Sequence, residues 1–258
     1  MAFRGVFSLF LVGVFLLTGD LVQRTIIVPV VWFFPSSRGR VLRRWIRWLS
    51  AISVWLPRHV GGADIDIRAR IAAEPGTLIL MNHQSLLDIP VAYEVMKGGY
   101  ALAVTRARYG RKIPLVSPLL RFDNHPLVDP GRGGAAQLER LRKVAATTTH
   151  PMLIFPEGSR TRDGEIRPFR TAGLEAILGA RRWNVHVVVV DGFWRCAKLV
   201  DYIHNISSVR ARIESTGPFP SPGPEEDVAA FIVRMRDLMC DKLHEMREAP
   251  ASRVADQE

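Results

Sequence analysis

The sequence predicts an α/β domain, a mostly buried sheet flanked by helices, preceded by a helical segment of different texture. Three observations carry that reading. From about residue 58 onward, short apolar runs alternate with helix-period patterns, the signature of strands layered against helices. At Pro57 and the Gly61-Gly62 pair the composition changes abruptly. Before that boundary the chain is apolar and basic: residues 1–60 hold eight arginines against a single acid, Asp20, and four of the six tryptophans. A length of 258 residues admits one substantial domain and a small appendage. The expected division is 1–57 for a membrane-docking helical segment, 58–248 for the α/β domain and 249–258 for a disordered tail.

Residues 5–19 form an uncharged, mostly apolar run, and residues 26–34 a second one broken by Pro29. Neither reaches the ~20 residues that span a bilayer comfortably. Joined across Asp20 and Arg24, they are expected to form a tilted or re-entrant, membrane-associated helical hairpin. Residues 41–56 place Leu42, Trp45, Ile46, Leu49 and Ile52 at helical spacing, with Arg40, Arg43, Arg44 and Arg47 around them. That is the pattern of an amphipathic helix lying in an interface. Arginine and tryptophan beside apolar runs suit an anionic lipid surface, where each basic residue near the headgroups contributes ~1 kcal/mol. Two other readings of this segment stay open. One is buried helices of the globular domain; the other is a cleaved signal peptide, against which stand a single n-region arginine and no small-x-small site before Asp20.

Within the domain, residues 77–81, 100–105, 152–155, 185–190 and 209–213 read as strands, and 89–97, 133–147 and 173–182 as helices. Pro218 to Pro224 reads as a proline-rich break before a final helix over 225–247, whose stripe is Val228, Phe231, Ile232, Met235, Leu238, Met239 and Leu243. The net charge of +10 also suits nucleic acid. No nucleic-acid motif accompanies it, so no such partner is expected. Cys196 and Cys240 stand far apart, which argues against a disulfide framework or a zinc site and fits a reducing compartment. The histidines outside the motifs show no metal-ligand spacing.

Two stretches carry chemistry. Asn82-His83-Gln84-Ser85-Leu86-Leu87-Asp88 follows the strand at 77–81 directly, and strand ends are where α/β proteins place reactive groups. Ser85 and Asp88 form an S-x-x-D pattern in which Ser85 caps the next helix, although Pro90 also admits a start nearer Ile89. A loop-to-helix turn brings His83 and Asp88 together. A carboxylate on one imidazole nitrogen fixes the tautomer and frees the other to accept a proton. A structural hydrogen bond is the plainer reading of such a pair taken alone. The second stretch, Phe155-Pro156-Glu157-Gly158-Ser159-Arg160-Thr161, also leaves a strand. Gly158 permits a tight turn and Arg160 offers a bidentate donor for phosphate or carboxylate. A base and an anion clamp at neighbouring strand ends describe a site.

NHQSLLD and FPEGSRT resemble the two hallmark boxes, NHxxxxD and FPEGxRS/T, of the PlsC-like glycerolipid acyltransferases, in the family's order and separation. The resemblance covers roughly residues 60–215. It implies a glycerol-3-phosphate acyltransferase-like α/β fold, a membrane-docking helical element, no metal or cofactor, and acyl-CoA or acyl-carrier protein as co-substrate. It makes His83 the general base and Asp88 its orienting group. Glu157, Gly158 and Arg160 are implied to hold the acceptor's phosphate, with Asn82, Ser159 and Thr161 beside them in the substrate site. The middle of the chain departs from the family pattern. Arg106 stands near the position of a usual lysine before Ile113-Pro114, and Pro130 replaces a usual arginine, for which Arg132 is the substitute at hand. The late block is altered to Val188-Val189-Val190-Asp191-Gly192.

The acceptor therefore stays open between lysophosphatidic acid, which would give phosphatidic acid, and another lysophospholipid or lyso-aminolipid. A membrane lipid- or carrier-binding protein without turnover is the reading from another class, and intact His83 and Asp88 argue against it. Membrane lipids are the expected partner surface, on the cytoplasmic face of a bacterial inner membrane. No acyl-enzyme is expected, because the motif offers no activated Ser or Cys.

Overall fold

The structure is a computed structural model and describes residues 2–129, 134–223 and 225–248. Helix α1 (Ala2–Val22) continues through a π turn (Gln23–Ile27) into α2 (Val28–Phe33). The wider turn just before Pro29 accommodates a residue that donates no N–H and crowds the carbonyl four residues back. A short turn (Pro35–Ser37) reverses the chain into α3 (Arg38–Trp55). The hairpin expected from the sequence is thus present with different arms. The two apolar runs are one helix, and α3 is the returning arm, as Trp45 Nε1 donating to Gln23 (2.9 Å) and the Phe15–Trp48 ring contact show. Asp20 and Arg24 do not mark a turn; they pair along the helix at 2.8 Å, and Asp20 also accepts the Leu115 N–H.

The stripe of α3 read as an interfacial face does something else. Leu42, Trp45, Ile46 and Leu49 are buried against the rest of the protein, and Ile46 joins the core that lies under the sheet. Most of the apolar surface that the hairpin leaves outside belongs to α1 and α2, where Phe3, Phe7, Phe10, Val14, Leu17, Leu21 and Trp32 are exposed; on α3 Trp48 and Trp55 are exposed as well. Spacing of three and four residues puts those of α1 on one stripe. The opposite stripe packs inward through small residues. At Gly5 an added Cβ would lie 1.9 Å from the Ile203 carbonyl oxygen, so that approach requires glycine.

The sheet holds β1 (Asp64–Ile67), β2 (Thr77–Met81), β3 (Leu102–Ala103), β4 (Met152–Ile154), β5 (Asn184–Asp191) and β6 (Arg210–Pro220). Their order across it is β1-β6-β5-β2-β4-β3. Only the β6–β5 pair in this sheet is antiparallel. Helices α4 (Asp88–Val95), α5 (Val116–Phe122), α6 (Gly134–Thr147), α7 (Thr171–Leu178), α8 (Leu199–Asn205) and α9 (Val228–Glu248) surround it, and two short parallel pairs, Ile71–Ala72 with Met96–Lys97 and Thr105–Arg106 with Leu127–Val128, stand apart from it. Along β2, Leu78 and Leu80 face one core with α6, α7 and α9, while Ile79 and Met81 face the other with α4 and α3. Both sheet faces are covered, which is why the central strands read as continuous apolar runs. Each such side chain, fully buried, contributes about 1.5–3 kcal/mol.

Two expectations shift. Strand β6 runs on through the proline-rich stretch as far as Pro220, with its pairing to β5 interrupted between Thr216 and Phe219. Pro218 falls in that interruption, where no ladder N–H is required. Strand β1 was not predicted, although Ile65 and Ile67 alternate with aspartates as a half-buried strand does.

Candidate active site

Strand register brings the two motifs together. In β2 and β4, parallel neighbours, Leu80 lies opposite Ile154. The chain therefore leaves both strands at the same end of the sheet, with Asn82 and Pro156 beginning adjacent loops. Strand β3 is parallel to β4 on the far side, so Arg106 issues from that end too. This is the carboxyl end of the parallel strands, where α/β sheets hold ligands.

His83 Nδ1 lies 2.8 Å from Asp88 Oδ2. The same oxygen accepts the N–H groups of Gln84 at 2.6 Å and Ser85 at 2.8 Å. Three donors converging on one oxygen define a carboxylate acting as acceptor. The Nδ1 edge of the ring is the one that faces Asp88, and Nε2 is turned away from it. Asp88 is fully buried while the His83 side chain is 18% exposed, so the ring alone of the two meets the outside. Phe155 stacks on that ring at 4.3 Å between centroids. Helix α4 begins at Asp88 with no side-chain cap. Ser85 lies one turn ahead of that start: its hydroxyl accepts the Leu87 N–H at 3.4 Å and donates to the Cys196 carbonyl at 3.2 Å, and Pro90 fits the first helical turn because an N–H there would be unpaired in any case.

The second loop grips the first. Glu157 Oε1 accepts the His83 N–H at 2.8 Å and Oε2 the Arg167 N–H at 3.0 Å. Thr161 N–H donates to the His83 carbonyl at 2.8 Å. Burial pushes the Glu157 carboxyl above the ordinary carboxylate range, against the pull of those two N–H groups. Gly158 takes φ +67, a conformation that favours glycine, and an added Cβ would displace the Arg170 side chain, whose Cδ would lie 2.7 Å away. Arg106 donates to the Gly158 carbonyl and Arg160 to the Ala197 carbonyl.

The residues expected to bind substrate divide accordingly. Arg106, Gly158, Ser159 and Arg160 lie in the loops at this end of the sheet and are half-buried. Asn82, Glu157 and Thr161 are buried and committed to the protein itself. Both ends of the Asn82 amide bond the Val190 backbone, at 2.8 and 2.7 Å, and the Thr161 hydroxyl donates to Asp163 at 2.5 Å. Arg132 lies outside the described residues. His125 is buried, and its Nδ1 accepts the Ala103 N–H at 3.0 Å. Arg167 and Arg170 were missed, although the density of arginines after the second box, Arg160, Arg162, Arg167 and Arg170, was there to be read. Also missed was the segment 193–197, reached by a turn at Gly192 (φ +109). It supplies the Trp194 N–H to Gln84 at 3.2 Å.

The proteins this chain is similar to are acyltransferases. The model of the family called Acyltransferase matches residues 64–190, just under half of the chain. Among relatives, the 1-acyl-sn-glycerol-3-phosphate acyltransferase of Cocos nucifera is 26% identical over 202 residues, covering 76% of this chain and 63% of that protein. The match thus spans less than two thirds of the relative's length. The crystal structure of the 1-acyl-sn-glycerophosphate (LPA) acyltransferase, PlsC, from Thermotoga maritima superposes with a TM-score of 0.72 at 17% identity, over 96% of this chain and 97% of that one. The mixed sheet with its N-terminal helices is therefore the PlsC fold.

Proposed function

We propose that the protein moves a fatty acyl group from an acyl thioester, either acyl-CoA or acyl-carrier protein, to the free hydroxyl of lysophosphatidic acid, giving phosphatidic acid. The observation that carries this reading is the His83–Asp88 pair at 2.8 Å, open to the outside only through the imidazole and set at the end of the sheet that also carries Arg106 and Arg160. In this reading Asp88 holds the ring, and Nε2 takes the proton of the acceptor hydroxyl as its oxygen attacks the thioester carbonyl. Collapse of the tetrahedral adduct expels the thiolate, which recovers the proton from the imidazolium. A base so placed contributes typically 10²–10⁴-fold. The guanidinium groups suit a phosphate, to which they form strong charge-assisted bonds.

Direct attack is favoured over an acyl-enzyme. Ser85 is buried with its hydroxyl engaged, and burial pushes the Cys196 thiol up to about 12, which leaves almost no thiolate to act as nucleophile. The name of the Cocos nucifera relative supports lysophosphatidic acid as acceptor.

The helix Ala2–Phe33 is long and apolar enough to cross a membrane. Its contacts favour a different use. It meets the domain at Ser8, which bonds Tyr202 at 2.8 Å, and again at Gln23, which bonds the Leu115 carbonyl at 3.1 Å. A helix held along that length, with its apolar stripe outward, suits an in-plane seat in one leaflet. The exposed Arg40, Arg43 and Arg44 suit the anionic headgroups of a cytoplasmic face.

The test is transfer of labelled palmitate from both donors to a panel of lyso-lipids in mixed micelles, with wild type and His83→Ala side by side. Transfer to lysophosphatidic acid by wild type alone is expected. Equal transfer by the alanine variant would remove His83 as base. Preference for another lyso-lipid would replace the acceptor. No transfer by folded, micelle-bound wild type would overturn the enzyme reading.

A further inference from the structure

Glu157 stands in the second motif, yet its geometry is not that of a ligand for an anion. The residue is 3% exposed. Each carboxylate oxygen is already occupied by a main-chain N–H, His83 on Oε1 at 2.8 Å and Arg167 on Oε2 at 3.0 Å. Asp88 is near enough for its charge to be felt by Glu157, so a phosphate brought alongside would be a third anion in one corner. Removing the carboxylate would leave two N–H groups without their acceptor, the kind of loss proteins avoid at buried positions.

From these contacts we infer that Glu157 is a positioning residue: its carboxylate fastens the main chain of His83 to that of Arg167 and makes no contact with the acceptor. The inference rests on the acyl-transfer reading of the site. Asp88 fixes the imidazole ring from the side-chain end. Glu157 and the Thr161 N–H, which meets the His83 carbonyl at 2.8 Å, fix the same residue from the backbone end. The base is thereby defined by the second loop as much as by its own. Proton transfer is sensitive to such placement, since displacement of a reacting group by about 1 Å can cost ~10²-fold.

The experiment compares wild type, Glu157→Gln and Glu157→Ala in two measurements. The first is steady-state transfer with the lysophosphatidic acid concentration varied. The second is amide hydrogen exchange at His83 and Arg167, with Val187 as a control in the sheet. For Glu157→Ala we expect kcat to fall by ~10²-fold with the acceptor KM unchanged. Exchange should quicken at His83 and Arg167 but not at Val187. Glutamine keeps one carbonyl acceptor and turns an NH₂ toward the other N–H, so it should recover part of kcat and protect one amide. If alanine prevents folding, the glutamine variant carries both readings.

A raised acceptor KM at unchanged kcat would overturn the inference and make Glu157 a ligand. Unaltered exchange at His83 would overturn it too. Wild type without turnover, together with quickened exchange in the variants, would sink acyl transfer and leave the clamp standing.

Discussion

The loops at the ends of β2 and β4 and the outward stripe of α1 break the usual division between inside and outside in opposite directions. In the loops the polar side chains are inside: Asn82, Gln84, Ser85, Asp88, Glu157 and Thr161 are all buried. On α1 the apolar side chains are outside, with Phe10 62% and Leu17 63% exposed. Buried polar groups are tolerated when they find partners, and here main-chain N–H groups, three from within the same loop and one from the neighbouring loop, hold the two carboxylates. A continuous exposed apolar stripe has no such internal remedy and calls for an external phase. One region is completed by the protein itself and the other by its surroundings. The proposed function needs both: a base held to a fraction of an ångström, and a seat beside substrates that live in a bilayer.

The largest expected effect tests the self-completed region. Asp88→Asn keeps the size of the side chain and a carbonyl oxygen for the three donors, but removes the charge that stabilises the imidazolium. Palmitate transfer should fall by ~10²–10⁴-fold, with the fold retained by circular dichroism. A rate within a few-fold of wild type would mean that the pair is a structural hydrogen bond.

The stripe of α1 is tested by Phe7→Ser with Phe10→Ser. Both rings are exposed, so the melting temperature in detergent-free buffer should hold. Membrane insertion of a Phe side chain is worth about 1.5–3 kcal/mol, and ~1.4 kcal/mol is tenfold in affinity. Sedimentation with anionic vesicles should accordingly weaken by well over tenfold for the pair. Undiminished sedimentation would break the comparison, because the stripe would then be exposed without being used.

Much of this was legible in the sequence because it is local. Asn82 to Asp88 and Phe155 to Thr161 each follow an apolar run that can only be a strand, and strand ends expose their loops. The split of roles within those loops was not legible. Whether Asn82 meets a substrate or the Val190 backbone depends on a strand 108 residues away in sequence, and no spacing rule reaches that far. The arms of the N-terminal hairpin were misplaced for a related reason. Asp20 and Arg24 look like a turn until Leu115 and each other are seen to satisfy them in the helix. The stripe of α3 could face lipid or protein equally well by its period alone. Packing decided it, with Ile46 1% exposed.

The smallest expected effect asks whether the two regions are one body when the membrane is present. Ser8 and Tyr202 share a hydrogen bond of 2.8 Å between α1 and α8, and Ser8 is fully buried. The segment just before α8 bonds the loop 82–88 through Cys196 and Trp194, so this contact ties the apolar stripe to the His83 loop by a short path. A double-mutant cycle of Ser8→Ala and Tyr202→Phe isolates it. A net coupling of about 1 kcal/mol is expected from one neutral hydrogen bond, a shift of roughly 2–4 °C in melting temperature for a domain of this size. The cycle should be run with and without anionic vesicles. If α1 lies in the leaflet plane while still packed on α8, the coupling persists in both conditions. If α1 swings away to cross the bilayer, the coupling vanishes when vesicles are added, because neither hydroxyl then meets the other. Gly5 argues for persistence: its contact with the Ile203 backbone is too close for any side chain, and a helix that left α8 in its working state would have no need of glycine there.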